Sequence, residues 1–254
     1  MATFEDELKR IEPAARFITR LVLPGKKIVV RGAEHFFREG PNIIVGNHCG
    51  SFKDPAVVYR IVPRPVFFTA NQQIFSRDGL DYLVRKHLKR HLKEFGVLLD
   101  SVLKPLKFLF VRYASSTVAR VGTIPVDLYG HEGKRAAVER FMDYLRAGRA
   151  LISLHGRGRV MPQHPNPYVY PFGRGTSIVA FNMQDRYGLR VPVTPIALYG
   201  TQRPFVIPGK ILVNVGPPLY IADYIGGGFD ASVARFKDVL EAAVKALFLE
   251  LIRS

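Results

Sequence analysis

The chain is short of cysteine, of acidic residues and of long apolar runs, and each shortage removes a class of protein. One cysteine, Cys49, in 254 residues excludes an internal disulfide framework and suits a reducing compartment. No stretch approaches the ~18 uninterrupted apolar residues of a bilayer-spanning helix, so none is expected. The N-terminal region carries Glu5, Asp6 and Glu7, which does not suit a signal or transit peptide. Walker-type phosphate loops, zinc-finger spacings, internal repeats and low-complexity segments are all missing from the sequence. His87 and His91 have a spacing that suits a metal on a helix, but no cysteine or carboxylate accompanies them locally. A basic helix face accounts for them, and no metal site is expected.

The scarcity of acid has a counterpart. Against 21 Asp and Glu stand 37 Lys and Arg, a formal net charge of +16. That excess favours polyanions: nucleic acid, an anionic membrane surface, or phosphorylated and CoA-type substrates. Its arrangement helps to choose. Arg85, Lys86, Lys89, Arg90 and Lys93 share an expected helix with the apolar face Leu80, Val84, Leu88, Leu92 and Phe95. The following stretch, with Leu106, Phe108, Leu109 and Phe110, is punctuated by Lys104, Lys107 and Arg112. Such interleaving fits a helix lying in a membrane interface, with a solvated face on a core helix as the alternative. The partner expected is an anionic membrane surface, approached peripherally from the cytoplasmic side, and not nucleic acid.

With 48% apolar residues the length fits one α/β domain whose mostly parallel or mixed sheet is covered by helices on both faces. Residues 1–24 read as an N-terminal amphipathic helical segment broken by Pro13, and residues 25–254 as the main domain. Strands are expected near residues 27–32, 42–47, 65–70, 123–127, 150–154, 191–198 and 211–215. Helices are expected over 135–145, where Gly148 supplies a stop signal, and over 177–185 and 231–252. The Pro- and Tyr-rich stretch 161–171 reads as an ordered loop at the rim of a site.

The most informative segment follows the apolar run Ile43-Ile44-Val45: Asn47-His48-Cys49-Gly50-Ser51-Phe52-Lys53-Asp54-Pro55. Asp54-Pro55 reads as a helix start, with Asp54 at the N-cap and Pro55 in the first turn. His48 and Asp54 would then meet across one strand-to-helix loop. A carboxylate on one imidazole nitrogen fixes the tautomer and leaves the other nitrogen free to take a proton. That is the base half of a triad, with the nucleophile left to the substrate. Cys49 is a poor nucleophile candidate, because adjacent residues on an extended chain point opposite ways. Gly156, Arg157 and Arg159 follow another strand end, offering backbone N–H groups and two guanidinium forks suited to an anion, with Arg174 a weaker addition.

The His48–Asp54 stretch resembles the first motif of the glycerolipid (lysophospholipid) acyltransferase family, Asn-His-four residues-Asp, often followed by Pro. Further blocks resemble that family in order: Phe67-Phe68-Thr69-Ala70-Asn71-Gln72-Gln73-Ile74-Phe75, Gly122-Thr123-Ile124-Pro125-Val126-Asp127, Leu154-His155-Gly156-Arg157-Gly158-Arg159, Tyr170-Pro171-Phe172-Gly173-Arg174-Gly175 and Val191-Pro192-Val193-Thr194-Pro195-Ile196-Ala197. Together they cover roughly residues 25–220. Three positions depart from the pattern. Five residues, not four, separate His48 from Asp54; Leu128 stands where the second motif usually carries Arg, and His155 where the third usually carries Glu.

The resemblance implies direct transfer of a fatty acyl group from an acyl thioester, acyl-CoA or acyl carrier protein, to a hydroxyl of a lysophosphatidic-acid-like glycerolipid. His48 and Asp54 would be catalytic; Arg157, Arg159, Gly156 and Arg174 would bind substrate. No metal or tightly bound cofactor is implied. The loss of Arg at Leu128 leaves open a lipid acceptor without phosphate, and a non-enzymatic basic membrane- or nucleic-acid-binding protein is the reading from a different class.

Overall fold

The computed structural model describes Leu23 and residues 25–51, 53–71, 124–126, 131–204 and 207–253. The chain divides into two compact units, residues 1–13 with 69–137 and residues 14–68 with 138–254. The expected N-terminal helix, the basic helix near residues 80–95, the apolar stretch after it and Leu128 lie outside the described residues.

Seven described strands alternate with helices: β1 (Lys26–Arg31), β2 (Asn42–His48), α1 (Lys53–Ile61), β3 (Val66–Asn71), β4 (Ile124–Val126), α2 (His131–Arg146), β5 (Ala150–Gly156), α3 (Gly175–Tyr187), β6 (Val193–Tyr199), β7 (Gly209–Val215) and α4 (Gly228–Arg253). In the smaller unit, Thr69–Asn71 pairs in parallel with Ile124–Val126. In the larger unit the strand order is β1-β7-β6-β2-β5-β3. The pairs β1–β7, β2–β5, β2–β6 and β3–β5 are parallel, and β7 runs antiparallel to β6. The sheet is therefore mixed, as the sequence predicts.

Both faces of the larger unit's sheet are covered. Residues of even number on β2 share one face with even-numbered residues of β5 and β6. On that face Ile44, Ile152, Ile196 and Leu198 pack with Ile211 and Val213 of β7 against Val57 and Val58 of α1. Burying each of these large aliphatic side chains contributes ~1.5–3 kcal/mol. The opposite face is closed by α4, where Asn214 of β7 donates its amide to the Leu247 carbonyl at 3.3 Å and to Glu250 Oε2 at 2.7 Å. Strand β2, central and buried on both faces, reads Asn-Ile-Ile-Val-Gly-Asn-His with only His48 part-exposed, the near-continuous run expected of a parallel strand.

Helix ends follow local chemistry. Helix α3 closes on Gly188 at φ 63°, whose N–H reaches Gln184 O at 3.0 Å, the 5→1 bond of an αL cap, and Leu189 N–H adds a bond to Met183 O at 3.1 Å. After α2, Gly148 adopts φ 72° where the sequence predicts a stop. All four helix starts come earlier than expected, α2 at His131 instead of residue 135 and α3 at Gly175 instead of residue 177. Helix α4 begins at Gly228 instead of residue 231, because the Ser232 hydroxyl ties the Gly226 N–H (3.0 Å) and the Gly228 carbonyl (2.7 Å) into its first turn. Helix α1 begins at Lys53, one residue before the expected cap.

A candidate active site at the end of the central strand

The reversal of β7 determines what gathers around His48. The C-terminal ends of β2, β5 and β6 and the N-terminal ends of β1 and β7 all lie at one end of the sheet. Ligands in open α/β sheets characteristically bind outside the carboxyl ends of the strands. His48 is the last residue of β2, and its side chain follows Ile44 and Gly46 onto the α1 face.

From β2 the chain turns through Cys49 and Gly50, passes Ser51 in the left-handed region at φ 55°, and enters α1. The turn is closed by Lys53 N–H to Gly50 O at 3.2 Å and Asp54 N–H to Ser51 O at 3.3 Å. It brings Asp54 Oδ2 to 2.9 Å from His48 Nδ1 and 2.7 Å from the Gly50 amide nitrogen. The expected N-cap role of Asp54 is corrected accordingly. Asp54 lies inside the first turn, and its carboxylate reaches back to the loop instead of capping N–H groups ahead of it. A carboxylate only accepts, so the Nδ1–H donates to Oδ2 and Nε2 carries the lone pair. His48 keeps 25% of its side chain exposed while Asp54 is at 0%. One polar atom of the pair is left over: Oδ1 of Asp54 is buried with no hydrogen-bond partner among the described residues.

Three glycines make this packing possible. A Cβ on Gly50 would lie 2.4 Å from Thr201 Cβ and 2.7 Å from Asp54 Oδ1. Gly156, at φ 141°, is the register partner of His48, and a Cβ there would lie 2.6 Å from the His48 carbonyl oxygen. Gly158, at φ 66°, donates its N–H to that same oxygen at 3.1 Å, and its Cβ would lie 3.2 Å from His48 Nε2. The loop after β5 thus wraps the backbone of His48 and leaves its free nitrogen uncovered by side chain at position 158.

The residue before the histidine works on the other face. Asn47 is fully buried; its Oδ1 accepts the Leu198 N–H at 2.8 Å, and its Nδ2 donates to the Leu198 carbonyl at 2.9 Å and the Tyr168 carbonyl at 3.2 Å. It locks the end of β2 to β6 and to the rim loop. The Tyr168 ring in turn lies 5.2 Å from Phe248 of α4 and 5.7 Å from Tyr199. Cys49 is buried, 3.7 Å from Thr201 Oγ1. Burial, followed by the nearby Asp54 charge, pushes its thiol up to about 12. A thiol held that high is no nucleophile at neutral pH.

The basic residues expected to bind substrate are only partly brought together. Gly156 adjoins His48; Arg157 and Arg159 are exposed on the same loop, with the Arg157 guanidinium 5.5 Å from the Tyr170 ring centroid. Arg174 precedes α3 and pairs with Asp230 at 2.5 Å. His155 points to the face opposite His48. Its Nδ1 accepts the Gly173 N–H at 3.1 Å, its Nε2 lies 3.3 Å from Thr176 Oγ1, and its ring stacks on Phe172 at 4.1 Å. Desolvation carries its pKa down to about 4, partly opposed by Glu241, so the ring is neutral near pH 7. It holds the 172–176 segment and takes no proton from the His48 side.

Two features were missed by sequence reading. Lys26 and Lys53 are each 8% exposed, and both turn their ammonium groups onto the loop between β6 and β7. Lys53 donates to the Arg203 carbonyl, and Lys26 to the Ile207 carbonyl and, at 3.2 Å, to the Pro204 carbonyl. A signal was present: residues 200–222 contain no Asp or Glu. Among the described residues, no three His, Cys, Asp or Glu side chains converge as metal ligands, and no helix is long and apolar enough to cross a membrane.

Neither a protein-family pattern nor a curated protein matches the sequence. Among solved structures, the fold is similar to that of the 1-acyl-sn-glycerophosphate (LPA) acyltransferase PlsC from Thermotoga maritima. The TM-score is 0.53 at 17% identity, over 96% of this chain and 81% of that one.

Proposed function

We propose that this chain is an acyltransferase that moves a fatty acyl group from an acyl thioester to a hydroxyl of a lysophosphatidic-acid-like glycerolipid. The observation that carries the reading is the 2.9 Å contact from His48 Nδ1 to the buried Asp54, with Nε2 left open at the carboxyl end of the central strand. The likeness in fold to a lysophosphatidate acyltransferase supports it.

In this mechanism His48 Nε2 removes the acceptor's hydroxyl proton as that oxygen attacks the thioester carbonyl. The tetrahedral intermediate collapses, the C–S bond breaks, and the imidazolium returns its proton to the departing thiolate. Asp54 accepts from Nδ1–H throughout and stabilises the imidazolium. Gly156 gives the loop its close approach to His48, and Arg157 and Arg159 grip the acceptor's phosphate. Arg174, which pairs with the exposed Asp230, is a weaker addition to that grip. The donor is acyl-CoA or an acyl carrier protein, and the protein works peripherally at an anionic membrane surface, where its excess of cations favours binding.

The test is an acyl-transfer assay against a panel of lysolipids, with acyl-CoA and acyl carrier protein as donors. Transfer to lysophosphatidic acid that disappears in His48→Ala supports the proposal. No transfer from either donor to any hydroxyl acceptor would overturn it.

A further inference from the structure

The acceptor grip described above accounts for cations on only one side of His48. In strand order, Arg157 and Arg159 follow β5, on one flank of β2. On the other flank lie β6, β7 and β1, and there Lys53, Lys26 and Arg203 cluster around the loop joining β6 to β7. That loop abuts the His48–Asp54 turn directly, since Gly50 leaves no room for a Cβ beside Thr201. A Cβ on Gly209 would lie 3.8 Å from an Arg203 guanidinium nitrogen, which places that group above the start of β7, beside Lys26. Lys26 and His48 project from the same face of the sheet, the one that packs on α1.

The cluster is electrostatically incomplete. Lys26 and Lys53 are buried, and neither forms an ion pair with any described carboxylate. Elsewhere Arg174, Arg186, Arg190 and Lys245 all do. Neutral carbonyls satisfy the two ammonium groups as donors, but they cancel no net charge. Burial holds both lysines below their ordinary range; repulsion by Arg203 adds to this for Lys26, and repulsion by Lys26 adds to it for Lys53, partly opposed there by the Asp54 charge. Residues 23–33 and 200–222 are free of Asp and Glu, so the local relief is Asp54, whose carboxylate is itself engaged by His48 and the Gly50 N–H. Three cations crowded against one carboxylate lose stability by mutual repulsion, and an anion over them recovers it.

We propose that Lys26, Lys53 and Arg203 form a second anion subsite, which takes the phosphate of the thioester donor's pantetheine arm while the arginines after β5 take the acceptor. This rests on the acyltransferase reading and extends it to the donor. Coenzyme A and the prosthetic arm of an acyl carrier protein share a phosphate ester on pantetheine, and that shared group is what the subsite recognises. The two lysine ammonium groups anchor the loop and supply field, and the exposed Arg203 supplies the direct contact.

The test compares three donors of one acyl chain: acyl-CoA, acyl carrier protein and a phosphate-free acyl-N-acetylcysteamine, each with wild type and Arg203→Glu. Arg203→Glu should raise the donor KM by about 10- to 100-fold, the loss of one charge-assisted contact, for thioesters that carry phosphate. The acceptor KM should not follow. A rise for every phosphate-bearing thioester that serves as a donor supports the subsite, and a rise for only one of two working donors overturns it. An equal rise for the phosphate-free donor, or no rise for any donor, overturns it. If no donor supports transfer, the acyltransferase reading fails separately, and calorimetric titration decides the subsite. Coenzyme A that binds wild type at least tenfold more tightly than Arg203→Glu supports it, and equal or undetectable binding to both sinks it. Lys26→Gln is a second variant, read in the same way beside its thermal melt.

Discussion

His155 is the register partner of Asn47, and both side chains lie on the face of the sheet that His48 turns away from. The consequence is a division of labour across three residues of adjacent strands. One face carries the imidazole and its carboxylate; the other carries two polar residues that fix loops. Asn47 holds the rim at Tyr168, and His155 holds the 172–176 segment that leads into α3. The acid–base chemistry proposed for His48 therefore needs no second histidine.

His48→Ala should reduce acyl transfer by ~10²–10⁴-fold, the usual loss of a general base, with little change in melting temperature because the ring is part-exposed. Asp54→Ala should be costly to activity and to stability alike. It frees the buried Gly50 N–H from its only described acceptor, at ~1–3 kcal/mol. Asp54→Asn should fall between them in stability. The check is turnover measured alongside urea unfolding for all three variants.

Gly158→Ala should impair turnover more than folding. Its φ of 66° costs an alanine ~1–2 kcal/mol, and the methyl would stand 3.2 Å from the free His48 nitrogen. Gly156→Ala should be harsher on stability, because its methyl meets the His48 carbonyl at 2.6 Å, and backbone cannot rotate aside. A Gly156→Ala protein as stable as Gly158→Ala would contradict this ordering.

Folding stability should fall on acidification, and His155 should account for part of the fall. Its folded pKa of about 4 lies below the 6.5 of a free histidine, so the unfolded chain takes up the proton first. The stability given by the neutral ring is complete above about pH 6.5 and drains away as pH falls toward 4, with ~3 kcal/mol as the ceiling. Denaturant unfolding at steps from pH 7 to pH 4 should show a shallower decline in His155→Gln than in wild type. Parallel declines would mean that other groups carry the effect.

Cys49 should resist alkylation in the folded protein. Its thiol is buried and pushed up to about 12, so thiolate is scarce at neutral pH. Iodoacetamide should label it only after unfolding, and acyl transfer should survive the reagent. Rapid labelling of native protein with loss of activity would reopen a role for the thiol.

Arg157→Ala should raise the KM for a phosphorylated acceptor by about 10- to 100-fold, one charge-assisted hydrogen bond lost. An acceptor lacking phosphate should be little affected. The measurement is the ratio of the two KM values in wild type and variant; an unchanged ratio would place the arginine in a structural role beside Tyr170.

Much of the site could be read from local pattern. The run Ile43-Ile44-Val45 followed by His48 and Asp54-Pro55 specifies strand, turn and helix within a dozen or so residues, and no distant contact alters that. What needed the structure was non-local. The face occupied by His155 follows from the β2–β5 register, which residue types in either strand alone do not encode. Asp54 was expected to cap its helix because Asp commonly does. The tight turn through Gly50 instead offered its carboxylate a donor behind it, and the helix start moved to Lys53. The two buried lysines were hidden by their type, since lysine is almost never buried without a partner; here the partners are carbonyls of a loop 150 residues along the chain from Lys53 and 178 from Lys26.

The reversed direction of β7 has a consequence for how this protein can change. A parallel connection from β6 would need a crossover of a dozen residues or more, usually a helix, to return the chain to the far end of the sheet. The antiparallel step needs only the bend between Tyr199 and Gly209. That bend sits beside the His48–Asp54 turn, yet no strand depends on its length for register, which is set by pairs such as Leu198 with Val213. Residues can be inserted at its tip or exchanged there while the sheet keeps its pairing. The wall on this side of His48 can therefore diverge quickly in length and charge while His48 and Asp54 stay fixed.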